Sequence, residues 1–321
     1  MSAPSRGFRR LALVTLVVTF LLIVLGGVVR VSDSGLGCGP AESGFHGWPL
    51  CNGDVVPGAS IHTAIEYAHR TVASGVGLLT LSLMVLARRR HREQRGIVIA
   101  TTAAFGGVVA EGLLGAATVE KNLEEELVAA HLGLAMLILG LVLYTWRASS
   151  PATIGAPVPE TGRGYRRFAI ATQALVLCTI VAGGYMAGTQ NYGRADYQLG
   201  DGAHHACGRE FPTCNDGFLP FGESQLVDIH LTHRVFMYVT SIALVALIAM
   251  TLRRRLGAGL DRTAYALGGL LLLQLLVGAL NVWLEEYEVL ILAHLTLGAL
   301  LWAAATMLTV QLYRVPALVR A

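Results

Sequence analysis

Eight separate runs of about twenty apolar residues constrain this chain more than any other feature it has. They lie at 9–31, 61–87, 97–119, 127–146, 167–189, 227–251, 262–284 and 288–312. A run of that length crosses a bilayer as a helix, because helical hydrogen bonding leaves no backbone N–H or C=O unpaired in hydrocarbon. With 54% hydrophobic and only 14% charged residues, the chain has too little polar surface for a soluble domain. The expected class is therefore an all-α integral membrane protein embedded in the lipid bilayer. The net charge of +3 is modest, and no nucleic-acid partner is expected.

An even number of spans puts both termini on one side. The basic residues select that side: Arg6, Arg9 and Arg10; Arg88, Arg89, Arg90, Arg92 and Arg95; Arg147, Arg163, Arg166 and Arg167; Arg253, Arg254, Arg255 and Arg262; Arg314 and Arg320. These are 18 of the 24 Lys and Arg, all in the same five segments, while the alternate loops hold most of the acids. The positive-inside rule then places both termini in the cytoplasm. The first apolar run is too long for a signal peptide and lacks a small-x-small cleavage site, and no Arg- and Ser-rich transit segment precedes it. A multi-pass protein of a bacterial plasma membrane is the expectation.

The chain nearly repeats itself at offsets of 163 or 164 residues. "WPLCNGDVVP" (48–57) resembles "FPTCNDGFLP" (211–220), and "EYAHR" (66–70) resembles "HLTHR" (230–234). In the same order, "EGLLGAATV" (111–119) matches "QLLVGALNV" (274–282), and "VAAHLGLA" (128–135) matches "ILAHLTLG" (291–298). Four spans return each half to the same side, so the expected architecture is eight transmembrane helices in two pseudo-symmetric four-helix bundles. The Pro-, Gly-, Ser- and Thr-rich stretch after Trp146 joins them.

The repeat sorts the ten histidines. His69 and His131 correspond to His233 and His294, all on even-numbered spans that run from outside to inside. From these histidines to the cytoplasmic arginines Arg88, Arg147, Arg253 and Arg314 there are 19, 16, 20 and 20 residues. At 1.5 Å per residue the four rings lie roughly 24–30 Å above the cytoplasmic boundary. Two imidazoles at equal depth in one bundle can face each other across its core, which is a geometry for the two axial ligands of a haem, once per half. A single buried histidine is more often a hydrogen-bonded structural group, but four at matched depth in two matched pairs are harder to explain that way. A structural zinc site needs four tetrahedral ligands, and each bundle offers two histidines with no thiolate at that depth. Haem supplies four equatorial nitrogens of its own.

Glu66 stands three residues before His69, on the same helical face and about one turn toward the outside. The second half has His230 there. A carboxylate at this place is a candidate to give or take a proton; the alternative is a structural ion pair with Arg70 at i,i+4. The difference makes one half read as a reaction chamber and the other as a redox relay. Arg30, Arg70 and Arg234 lie at outer span ends, placed to pair with haem propionates or to snorkel to the interface. Glu111 and Gln274 occupy matched places on the third and seventh spans, where either would hydrogen-bond within its bundle. Cys38 with Cys51 and Cys207 with Cys214 face an oxidising compartment, so a disulfide in each outer loop is expected, with thiol exchange as an alternative for the first pair. Cys178 reads as a small buried apolar residue.

Taken together, "EYAHR", "AAHLG", "THR", "LAHLTLG" and the outer-loop Cys51-Asn52 and Cys214-Asn215 resemble the bacterial haem A synthase family over essentially the whole chain. The resemblance implies oxidation of a methyl group of haem O to a formyl group, giving haem A for terminal oxidases. It implies that 1–146 holds the substrate haem through His69 and His131, with Glu66 as the catalytic acid. It implies that 147–166 is a cytoplasmic linker and that 167–321 holds a haem b cofactor through His233 and His294. Implied partners are haem O synthase (the protohaem farnesyltransferase) as substrate donor, an electron donor, and further copies of the chain in a homo-oligomer. The insert between Cys38 and Cys51 is longer than the family's simplest form and is expected to carry a short amphipathic helix. Two other classes stay open: a di-haem b quinol oxidoreductase and a haem transporter. A transmembrane relay needs haems near opposite faces, whereas these ligands share one depth, and a transporter needs neither Glu66 nor a difference between the halves.

Overall fold

Each apolar run is a helix. A computed structural model describes residues 4–58, 60–150, 161–189, 202–284 and 288–313. In it α1 is Arg6–Val31, α2 Ile61–Arg90, α3 Arg95–Glu120, α4 Glu125–Ala148, α5 Arg163–Gly188, α6 Gln225–Arg254, α7 Ala258–Trp283 and α8 Glu288–Gln311. All eight are long and apolar enough to cross a membrane. Among the described residues the only extended pairing is two isolated bridges.

Local chemistry sets the helix ends. Ser5, Ser60 and Ser224 cap α1, α2 and α6, each hydroxyl accepting from the backbone N–H three residues on. At their other ends α2 and α6 run past the apolar stretch to include Arg88–Arg90 and Arg253–Arg254, where cations meet the negative end of the helix dipole. Inside the spans hydroxyls turn back on their own helix. Thr15, Thr19, Thr80, Thr101, Thr145, Thr251 and Thr309 each donate to the carbonyl four residues earlier, which satisfies them without a partner helix. Leu78, Ile99, Leu113, Ile170, Ile242 and Leu272 point outward, as a surface in contact with acyl chains requires.

Helices α1 to α4 close a ring, each packed on its sequence neighbour and α1 on α4, and α5 to α8 close another. The rings meet along α1, α4, α5 and α8. Two glycines permit the close approach: a Cβ at Gly27 would strike Leu292 and Leu295 of α8, and one at Gly184 would stand 3.0 Å from Leu132 of α4. The Trp302 indole of α8 donates to the Met136 carbonyl of α4 at 2.6 Å. A continuous cluster of buried apolar side chains runs through this junction, from Ile23, Met136 and Leu139 to Val176, Leu244 and Trp302.

Two expectations are corrected. Cys178 is exposed rather than buried; it lies two residues from buried Val176 and hence on the opposite side of α5, and a thiol facing lipid behaves as a small apolar group that needs no burial. The insert between Cys38 and Cys51 forms one 3-10 turn, Gly44–His46, instead of an amphipathic helix, because Gly44 sits at φ 55 and Gly39 at φ 141 and neither continues a helix. Residues 151–160 of the expected linker, and Arg314 and Arg320, lie outside the described residues.

Candidate functional site

The four matched histidines stand near the N-terminal ends of their helices. His69 and His233 are the ninth residues of α2 and α6; His131 and His294 are the seventh of α4 and α8. At 1.5 Å per residue, each ring is about 9–12 Å in from the helix start. Within each ring of helices the pair stands at a similar level, His69 with His131 and His233 with His294.

Four glycines make room for the imidazoles. A Cβ at Gly26 of α1 would stand 3.2 Å from Cε1 of His69, and one at Gly115 of α3 would stand 3.2 Å from Cε1 of His131. In the other ring the distances are 2.8 Å from Gly183 of α5 to His233 and 2.9 Å from Gly278 of α7 to His294. Every odd-numbered helix thus offers bare backbone to the histidine of the helix that follows it. No single span marks these glycines as site residues, but Gly115 and Gly278 lie inside the matched "EGLLGAATV" and "QLLVGALNV", and α1 and α5 each carry a Gly-Gly pair at 26–27 and 183–184.

The ring nitrogens differ in their partners. Nδ1 of His233 donates to the Thr179 carbonyl at 3.1 Å, which fixes the tautomer and leaves Nε2 for a metal. The Gln274 amide lies 3.1 and 3.3 Å from the two ring nitrogens of His294. Nδ1 of His69 is buried with no hydrogen-bond partner, and Nδ1 of His131 lies 3.4 Å from Oε1 of Glu111. Half-buried imidazoles over glycine backbone fit a flat macrocycle held by one histidine on each side. Among the described residues no cluster of three or more His, Cys, Asp or Glu is suited to a bare metal ion, so the pairs suit a group that brings its remaining donors with it.

Two disulfide loops, Cys38 to Cys51 and Cys207 to Cys214, precede the histidine-bearing ends of α2 and α6, as the cysteine pairs suggested. Each closes the same tight turn: the Cys51 N–H donates to the Asp54 carbonyl at 2.9 Å and the Cys214 N–H to the Gly217 carbonyl at 2.8 Å. Asn52 and Asn215 sit at φ 53 and 48, a left-handed conformation that asparagine tolerates. Arg70 donates to the carbonyls of Gly47 and Leu50, and buried Arg234 to those of Glu210, Pro212 and Thr213. Arg30 donates to the Ala187 carbonyl at the outer end of α5. All three arginines thus secure the backbone at the outer ends of the two rings.

Glu66 is buried, and both its oxygens are engaged. Oε1 pairs with Arg70 on the next turn, and Oε2 accepts from the Cys38 N–H at 2.7 Å. Its counterpart His230 donates Nδ1–H to the Ala203 carbonyl at 2.7 Å. Different side chains answer different backbone groups, since the first loop presents an N–H and the third a C=O. The ion pair weighed against a catalytic Glu66 is therefore present.

A sequence model of the COX15-CtaA family, described as cytochrome oxidase assembly protein, matches residues 9–64 and 58–306. The chain belongs to the COX15-CtaA family. The match takes in both disulfide loops, Glu66 and all four histidines. Its relatives include a protein named heme A synthase from Halalkalibacterium halodurans, 31% identical over 236 residues that cover 73% of this chain and 72% of that protein. Proteins of the same name from Alkalihalophilus pseudofirmus and Shouchella clausii are 29% and 27% identical, covering 76% and 77% of this chain and the same shares of theirs. This member of the COX15-CtaA family is a multi-pass membrane protein.

Proposed function

We propose that this chain is a haem A synthase that oxidises a methyl group of haem O to the formyl group of haem A. The observation that carries the proposal is the doubled pair of half-buried histidines, each over a glycine of the preceding helix, in a COX15-CtaA member whose relatives are named heme A synthase. The two rings form a pseudo-symmetric pair with divided labour. Residues 1–146 bind haem O through His69 and His131, and residues 167–321 bind haem b through His233 and His294, joined by the linker at 147–166.

Taking a methyl group to a formyl group removes electrons and protons and inserts one oxygen atom, so each half has a task. Haem b, when bound, supplies one-electron redox chemistry. The Thr179 carbonyl orients His233 for that ligand. Glu66, one turn outward of His69, gives or takes the proton at its carboxylate, which Arg70 and the Cys38 N–H hold in place. Arg30, Arg70 and Arg234 keep their guanidinium groups at the outer ends of the helices, where propionates would lie. The clustered arginines support cytoplasmic termini in a bacterial plasma membrane. Haem O synthase as substrate donor, a membrane electron donor and a homo-oligomer complete the proposal.

The test is extraction and mass identification of the haems in purified protein, before and after haem O is supplied under air. Haem b together with haem O, or with its hydroxylated and formyl products, is the expected result. Two unmodified haem b groups and no conversion would replace the synthase with a di-haem electron carrier.

A further inference from the structure

One carboxylate of the N-terminal ring is accounted for and one is not. Both oxygens of Glu66 bind the outer loop and Arg70. Glu111 of α3 instead faces His131 of α4, with Oε1 3.4 Å from Nδ1, and its Oε2 is buried with no hydrogen-bond partner. At the matched place in the other ring, Gln274 of α7 lies against His294 of α8. The third and seventh helices thus each aim one polar side chain at the histidine of the next helix, and the two side chains differ in charge. His233 also has a neutral partner, the Thr179 carbonyl. Of the four histidines, only His131 has a carboxylate facing its ring among the described residues.

We infer that Glu111 is the positioning residue of His131, accepting its Nδ1–H and so presenting Nε2 to the pocket; at the matched place Gln274 turns its amide nitrogen, a donor, to the His294 ring and plays no such part. This rests on the proposal that His131 is a haem ligand. Nδ1 of His131 and Oε2 of Glu111 are both buried without a hydrogen-bond partner, and each side chain offers what the other lacks across the 3.4 Å from Nδ1 to Oε1. Such a partner orients the imidazole and makes it a stronger donor.

The experiment titrates the full-length protein with haem O, followed by its Soret band, in wild type, Glu111→Gln, Glu111→Ala and Glu111→Leu. Glu111→Ala is expected to weaken haem O binding about ten- to a hundred-fold. Glu111→Gln keeps an acceptor for the ring N–H and restores most of the affinity. Unchanged affinity and Soret spectrum in Glu111→Ala would overturn the inference; should that variant not fold, unchanged affinity in the space-filling Glu111→Leu would do so. His131→Ala separates the two levels. If it binds haem O with the wild-type low-spin spectrum, the ligand assignment itself fails, whereas loss of that spectrum beside an unaffected Glu111→Ala rejects Glu111 alone.

Discussion

Glu66 combines a structural and a chemical position, and two substitutions pull them apart. Glu66→Ala leaves the buried Cys38 N–H without its acceptor, at about 1–3 kcal/mol, and takes one partner from Arg70, which keeps the Gly47 and Leu50 carbonyls. A lower unfolding midpoint in detergent and no haem A are expected. Glu66→Gln keeps an oxygen for the Cys38 N–H and has nearly the same shape, so most of the stability and the bound haem should remain while haem A formation stops. Haem A formation at the wild-type rate in Glu66→Gln would reduce Glu66 to a latch for the first disulfide loop. The comparison works because an ion pair and a loop anchor tolerate an amide far better than a proton carrier does.

At the scale of helices, the pairing of each histidine with a glycine of the preceding helix makes a graded prediction. An added Cβ would lie 2.8 Å from His233 at Gly183 and 2.9 Å from His294 at Gly278, but 3.2 Å from His69 at Gly26 and from His131 at Gly115. Gly183→Ala and Gly278→Ala must push a ring aside, with an overpacking cost of about 1–3 kcal/mol, and should lower the haem b bound per chain. Gly26→Ala and Gly115→Ala should be milder. The last two are read by haem O bound per chain, and wild-type content of the matching haem in all four variants would show that the glycines do not shape the pockets. Much of this level is legible in the sequence: length and apolarity mark α1 to α8, and the repeat places His69, His131, His233 and His294 at common depth. What Arg70 and Arg234 hold is not legible, because their partners are carbonyls of Gly47, Leu50, Glu210 and Thr213, and every residue type carries a carbonyl. Glu111 was visible only as the match of Gln274, since facing His131 depends on how α3 is rotated against α4.

For the molecule as a whole, the distribution of arginine predicts an orientation and the two rings predict a division of labour. A phosphatase reporter that folds only outside the cytoplasm should be active when inserted at the exposed Val55–Val56 between the first disulfide loop and α2 and inactive at Arg92 between α2 and α3; the reverse pattern would invert the topology. Division of labour is tested by removing ligands one half at a time. His233→Ala and His294→Ala should lose haem b and, with it, haem A formation, although Glu66, His69 and His131 are untouched. His69→Ala and His131→Ala should keep haem b at its wild-type amount and fail to hold haem O. The outcome is informative because the rings are not independent bodies: α4 packs on α5 and α1 on α8, and one apolar cluster runs from Ile23 to Trp302. If loss of a ligand merely loosened the fold, the shared core would carry the damage across, and all four variants would lose both haems. Selective loss, half by half, therefore requires the histidines to act on the haems themselves, and uniform loss would return them to the role of core side chains.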